Sequence, residues 1–382
     1  MLIELLRDLV AIDSVNPELV PGAKGEAEIA AYCAEWMRRE GFDVEVQEAA
    51  PGRPNVVGVL EGAAPGRSLM LCGHIDTVGV EGMAAPFSAH VREGRLYGRG
   101  SQDMKGGVAA MMVAAQRARE SLKSGRLIVA CVCDEEYESI GAQALVRKWT
   151  ADAAVVTEPT DLRVAVTHKG FAWLTIGTRG RAAHGSRPAE GRDAILRMGR
   201  VLARLETLGI ELSNRAADPL TGPPSLHAST IEGGREWSSY PDGCELKLER
   251  RTVAGETDAT VMREIEALLA GLRSEDPEFE GSARLITSRA PHAVSPSHEL
   301  PAMLSSLARA RGASGEIAGM SFWTDASILG DAGIPSVLFG PGGAGLHSVE
   351  EYVTLSDVED CAMVLRDLAI GYCSGQRNGD GS

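Results

Sequence analysis

Between about residues 170 and 287 this 382-residue chain changes its hydrophobic pattern, and then changes back. Ahead of that stretch, apolar runs alternate with helical spacing. Asn55–Leu60, Ser68–Cys72, Arg126–Cys133 and Ala153–Thr157 read as strands, and Lys105–Arg119 and Gly141–Lys148 as helices. Such alternation is the signature of a layered α/β sheet. Residues 2–12 form a helix ended by Asn16-Pro17, and a second runs from Glu26 to Glu40 with Gly41 as its cap. From Phe171 to Thr178 apolar and polar residues alternate, as in a half-exposed antiparallel strand. A helix over Gly191–Leu208, strands Ser225–Ile231 and Cys244–Arg250 around a turn at Gly233-Gly234, a helix Asp258–Leu272 and a strand near Ser282–Thr287 complete a β-α-β-β-α-β order. After about Pro291 the first style returns, with a strand Ile334–Phe339 and a closing helix Leu355–Tyr372. The sequence therefore predicts one discontinuous α/β domain, 1–169 and 288–382, interrupted by an α+β domain, 170–287. The tail GQRNGDGS is predicted to be disordered.

Composition limits the partners. Hydrophobic residues make up 44% and the net charge is −15, which suits a globular protein and argues against nucleic acid or an anionic membrane. The opening MLIELLRDLVAIDSVNP lacks the basic and apolar regions of a signal peptide, and no stretch is long enough to span a bilayer, so a cytoplasmic protein is expected. Seven scattered cysteines suit reduced thiols, and Cys131 and Cys133 are expected to pack in a strand rather than bind metal.

Chemistry-bearing residues gather where strands end. SLMLCGHIDTV sets His74 and Asp76 after an apolar run, two residues apart and so on one face; one can bind a metal while the other stands behind it. A capping Asp and a surface His would look the same. LYGRGSQDMKGG sets Asp103 ahead of a glycine pair and a helix, as a helix cap or as a carboxylate shared by two cations. VCDEEYESIGA places Glu135 and Glu136 after a core strand, either as a solvated acidic turn or as one metal ligand and one acceptor for the proton of a metal-acidified water. Glu158 ends the strand of VVTEPT, and His347 lies on the Gly-rich loop of GPGGAGLHSVEEYV. Three carboxylates and two imidazoles fit zinc, with cobalt or manganese as substitutes.

These segments, with AAHGSRP, LERRTVAGET, WTDASIL and FGPGG, resemble in order the metal-dependent amidohydrolase and peptidase family that includes acetylornithine deacetylase, succinyl-diaminopimelate desuccinylase, aminoacylase and glutamate carboxypeptidase. The resemblance implies a zinc-exopeptidase-like catalytic domain with an inserted lid and dimerisation domain, and two zinc ions per subunit. Asp103 would bridge them, with His74 and Glu158 on one ion and Glu136 and His347 on the other. Glu135 would be the general base and Asp76 the partner of His74; the Asp103–Met104 bond would be cis. His184 would stabilise the oxyanion from the neighbouring subunit of a homodimer, and Arg251 would bind the substrate's carboxylate. The chain departs from the family at Ser238 and Asp193, where relatives often carry Asn. Glu158 in place of Asp resembles the deacylases and carboxypeptidases. The expected reaction is hydrolysis of an N-acyl amino acid, acetylornithine-deacetylase-like, with a dipeptidase or carboxypeptidase as the rival.

Overall fold

A computed structural model describes residues 1–216, 218–295 and 297–375; beyond Gly375 the predicted disordered tail lies outside the described residues. The chain divides into two compact units. The first comprises Met1–Val166, Val294–Ala318 and the chain from Thr324 onward; the second comprises Thr167–Ala293 with Gly319–Trp323.

In the first unit, helix Leu2–Ala11 buries Leu2, Leu5, Leu6, Leu9 and Val10, the stripe of an amphipathic helix. Helix Ala27–Arg39 ends where Gly41, at φ +87°, donates its N–H to the Arg38 carbonyl. The central sheet is mixed. Its spatial order is Asp43–Ala50, Arg53–Glu61, Ser124–Val132, Ala64–His74, Ala153–Val156, Ser336–Leu338, Val164–His168. Ala64–His74 runs parallel to Ser124–Val132 and to Ala153–Val156, and Ser336–Leu338 runs parallel to Ala153–Val156. These middle strands are apolar because helices cover the sheet: Met111 and Met112 of helix Gly106–Ala118 and Val358 and Leu365 of helix Leu355–Cys373 share one core with Leu71 and Val129. Leu71 is fully buried, and Leu71→Ala would cost about 2–5 kcal/mol. Strand Asp43–Ala50 lies at the edge, is largely accessible, and carries acids among its valines, so its sequence DVEVQEAA has no apolar run to announce it. A separate small sheet joins Gly343–Ala344, Tyr352–Thr354, Arg95–Tyr97 and His90–Arg92.

The second unit has the β-α-β-β-α-β order. Its antiparallel sheet runs Ser225–Gly233, Gly243–Thr252, Gly170–Arg179, Glu280–Arg289. Leu174, Ile176, Leu246 and Leu248 form a core with Met198 and Leu205 of helix Ala194–Ser213 and Ile265 and Leu269 of helix Asp258–Glu275. Asp193 caps the first helix by accepting the Leu196 N–H at 2.9 Å, which fixes its start later than Gly191. Gly233-Gly234 does not close a tight hairpin: Gly234, at φ +79°, opens a longer connection before Gly243.

Candidate metal centre

Because three strands of the first unit run parallel, their carboxyl ends lie side by side, with His74 opposite Val132 and Cys72 opposite Val156. Ligand sites in α/β sheets form beyond such ends. Here they carry His74, the Asp134–Glu136 turn and Glu158. Asp103 sits on the tight segment Ser101–Lys105, and its bond to Met104 is cis. The following helix starts against the end of Ala153–Val156 because Gly107 has no Cβ; one there would lie 2.0 Å from the Thr157 carbonyl. His347 arrives from the Gly-rich loop in a left-handed conformation, φ +57°.

Five side chains meet. Asp103 Oδ1 lies 3.1 Å from His74 Nε2, and its Oδ2 lies 3.3 Å from His347 Nε2. His347 Nε2 is 3.2 Å from Glu136 Oε2, and His74 Nε2 is 4.0 Å from Glu158 Oε1. The donor atoms form two sets, His74–Asp103–Glu158 and Asp103–Glu136–His347, each within 4.8 Å and sharing Asp103. Glu135 Oε2 stands 4.0 Å from His74 Nε2. Glu136 Oε1 is buried and has no hydrogen-bond partner among the described residues. Such a donor set fits a pair of divalent cations.

Electrostatics agree with that fit. Burial pushes the Glu135 and Glu158 carboxyls well above the usual range, and Glu136 upward as well. For Asp103 burial acts the same way, but the hydrogen bonds to His347 and His74 outweigh it and lower its pKa. Burial opposes charge on His74, yet Asp103 and Asp76 raise it well above an ordinary histidine. Asp103 and Glu136 lift His347 to about 10. Four carboxylates this close together are costly to ionise without a countercharge that the two imidazoles only partly supply.

Asp76, expected behind His74, lies there fully buried, whereas the other residues behind the cluster were not evident in the sequence. The Nδ1 of His74 meets the Asp76 main-chain oxygen at 3.1 Å, closer than the Asp76 carboxylate at 3.5 Å. That carboxylate instead accepts the N–H groups of Glu135 and Glu136, at 3.1 and 3.2 Å, and the Asn16 amide at 2.9 Å. Asn16 also donates to Asp134 at 3.0 Å, and Arg53 joins Asp134 at 2.7 Å to both oxygens of Glu26 at 2.6 Å. Asp134 itself is left-handed, φ +68°, and this network holds it so, directly before the acid pair. Lys105, fully buried with its Nζ on the Ile12 carbonyl at 2.8 Å, is lowered by burial to about 8. No local pattern marks Asn16, Glu26, Arg53, Lys105 or Asp134, because their partners come from distant segments.

The remaining predicted residues lie in the second unit. His184 is exposed, its Nδ1 2.8 Å from Ser186 Oγ. Its loop pairs with the one carrying Ser238, whose carbonyl accepts the Gly185 N–H at 2.7 Å. Of the adjacent arginines, Arg250 is fully buried against Glu256 and Glu264, whereas Arg251 is half-buried, 3.0 Å from Glu249 and over the Phe171 ring. All seven cysteines are free and buried, Cys131 and Cys133 in the core as expected. Among the described residues no helix is long and apolar enough to cross a membrane.

Residues 70–370 match the model of peptidase family M20/M25/M40. The chain is 32% identical to acetylornithine deacetylase of Myxococcus xanthus, with 97% of both chains covered. It is 30% identical to N-formyl-4-amino-5-aminomethyl-2-methylpyrimidine deformylase of Bacillus subtilis, covering 98% of this chain and 95% of that one. Its fold is that of the YXEP protein of Bacillus subtilis, a dinuclear metal binding peptidase of the M20 family: the TM-score is 0.74 at 15% identity, with 97% of each chain covered.

Proposed function

The chain belongs to peptidase family M20/M25/M40, whose members are hydrolases of amide bonds, and on that premise we propose that it is a dinuclear zinc amidohydrolase that removes the acyl group from an N-acyl amino acid. One observation carries the reading: a single carboxylate, Asp103, shared by two donor sets, with a further carboxylate, Glu135, beside them. Its two named relatives, a deacetylase and a deformylase, each take off a small acyl group, which favours acetylornithine-deacetylase-like chemistry over a dipeptidase or carboxypeptidase.

His74, Asp103 and Glu158 would hold one cation, and Asp103, Glu136 and His347 the other; cobalt or manganese would substitute for zinc. When bound, the cations polarise the acyl carbonyl and acidify the attacking water. Glu135 takes that water's proton and returns it to the leaving amine nitrogen. Its position is set through its own N–H by Asp76, so base and cradle move together. His184 donates a hydrogen bond to the tetrahedral oxygen. Arg251 grips the substrate's free carboxylate, and Ser238 offers a hydroxyl beside the His184 loop where relatives carry Asn. The second unit acts as lid and dimerisation domain; the exposed Leu196 and Ile210 on its long helix and Ile231 on its edge strand support a homodimer. Seven free thiols support a cytoplasmic location.

The test is a zinc-loaded panel of N-acetyl, N-succinyl and N-formyl amino acids, acetylornithine included, beside dipeptides. Preference for one acyl-amino acid is expected. Preference for dipeptides would move the chain to the peptidase branch, and no turnover of any amide would end the proposal.

A further inference from the structure

Glu351, in the LHSVEEY motif, is buried and has no part in the chemistry above, yet four donors converge on its carboxylate. Oε2 accepts from Arg99 Nη1 at 2.6 Å and the Gly100 N–H at 3.0 Å. Oε1 accepts the N–H groups of Gln102 at 2.9 Å and of Asp103 itself at 3.1 Å. The carboxylate thus saturates its lone pairs on the backbone that presents the shared ligand. Arg99 extends the contact: its Nη2 donates to the Ser348 carbonyl, next to His347, and its Nε to the Gly79 carbonyl, both at 3.0 Å. The small sheet explains how two remote segments come into this register. Tyr352 pairs with Tyr97, so Glu351 and Gly98 stand opposite each other, and the Gly98 N–H reaches the Glu351 carbonyl at 3.1 Å.

We propose that Glu351, acting with Arg99, is a positioning residue that locks the Asp103 loop and the His347 loop into one frame and so sets the geometry of the Asp103–Glu136–His347 ion site. The inference rests on the two-ion reading of the centre. It differs from a purely structural role in what it predicts. A buried carboxylate that only stabilises the fold would lower stability without favouring either ion. A clip between two ligand loops weakens the ion that needs both loops more than the ion that needs one. His74 and Glu158 come from strand ends that Glu351 does not touch, so their ion depends on the clip only through Asp103.

The experiment is a zinc titration of metal-stripped protein against a chromophoric chelator, with kcat and KM measured on the best amide substrate. His74→Ala and His347→Ala identify which affinity belongs to which set. Glu351→Gln turns an amide N–H₂ toward backbone donors, and Arg99→Lys keeps the charge but cannot hold Glu351, Ser348 and Gly79 together. Each is expected to weaken the His347-dependent ion by about 10–100-fold, the effect of losing an outer partner of a ligand. The His74-dependent ion should change less. The value of kcat should fall at nearly constant KM and return with excess zinc, and Glu351→Gln should add nothing in the His347→Ala background. Equal losses at both ions, no loss at either, or a deficit that zinc does not repair would overturn the clip. If Glu351→Gln does not fold, Arg99→Lys separates the same outcomes. A parent chain that binds no ion would overturn the centre and the clip together, whereas two ions on the parent confine any failure to the clip.

Discussion

The acids around the metal centre in the first unit and the substrate-type residues of the second are held in opposite ways. Asp76 is fully buried and accepts three hydrogen bonds, Asp134 is fixed by Asn16 and Arg53, and Asp103 hangs by its N–H from Glu351. His184 and Ser238 are exposed, and Arg251 is held by one carboxylate and one ring face. The first arrangement is preorganised: its geometry is set before any ligand arrives. The second leaves its side chains free to adapt. On the proposed reading, the groups around the ions and those that meet the substrate therefore lie in regions of different stiffness, and variants in the two should fail differently.

The largest effect is expected at Glu135. Glu135→Gln should lower kcat by about 10²–10⁴-fold with zinc per chain unchanged by elemental analysis. Loss of zinc would make Glu135 part of the cradle instead of its base. Next comes His184→Ala, with a fall of about 10²–10³-fold in kcat, full metal content and an unchanged Tm, since the ring is exposed. An intact kcat would remove His184 from the reaction and reduce the second unit to binding alone. Arg251→Leu should raise KM by about 10–100-fold for substrates with a free carboxylate, matching a charged hydrogen bond of about 1.5–3 kcal/mol. The same amide without that carboxylate should show no change, and steady-state kinetics on the two substrates decides it.

The smallest effect concerns pH. Burial holds Glu135 and Glu158 above 4.5, and Asp103 and Glu136 lift His347 from 6.5 to about 10. Through His347 the folded chain thus binds more protons than the unfolded chain between pH 6.5 and about 10, and that contribution to stability is lost as pH rises through the window; the raised Glu135 and Glu158 act in the same direction from pH 4.5 upward. Asp103, shifted downward, matters only below its usual 3.8. Metal-stripped protein should lose a few degrees of Tm across the window, and zinc should flatten the slope. A flat slope without metal would mean that the acids and imidazoles already compensate one another.

Legibility followed the same division. That His74, the Glu135–Glu136 pair and Glu158 would meet was readable, because a polar residue directly after an apolar run marks the carboxyl end of a buried strand, and parallel strands bring those ends together. Strand Asp43–Ala50 was not readable, since an edge strand needs no apolar run, nor was the long connection after Gly233. The ion pair of Arg53 with Glu26 and that of Arg99 with Glu351 join segments far apart in the chain, and no local spacing encodes such a contact. Arg251 and His184 look like ordinary surface charges on a strand and a loop; only resemblance singled them out.

The strand order of the central sheet has a consequence during synthesis. Ser336–Leu338 sits between Ala153–Val156 and Val164–His168, so two strands made early wait for one made late. At about 5–20 residues per second, the nascent chain carries an open slot in its most apolar sheet for on the order of ten to thirty seconds, while the whole of Thr167–Ala293 leaves the ribosome. A stalled or truncated product would keep that slot open and lack His347 as well, which makes it at once sticky and inert, a natural client for holding chaperones and proteases.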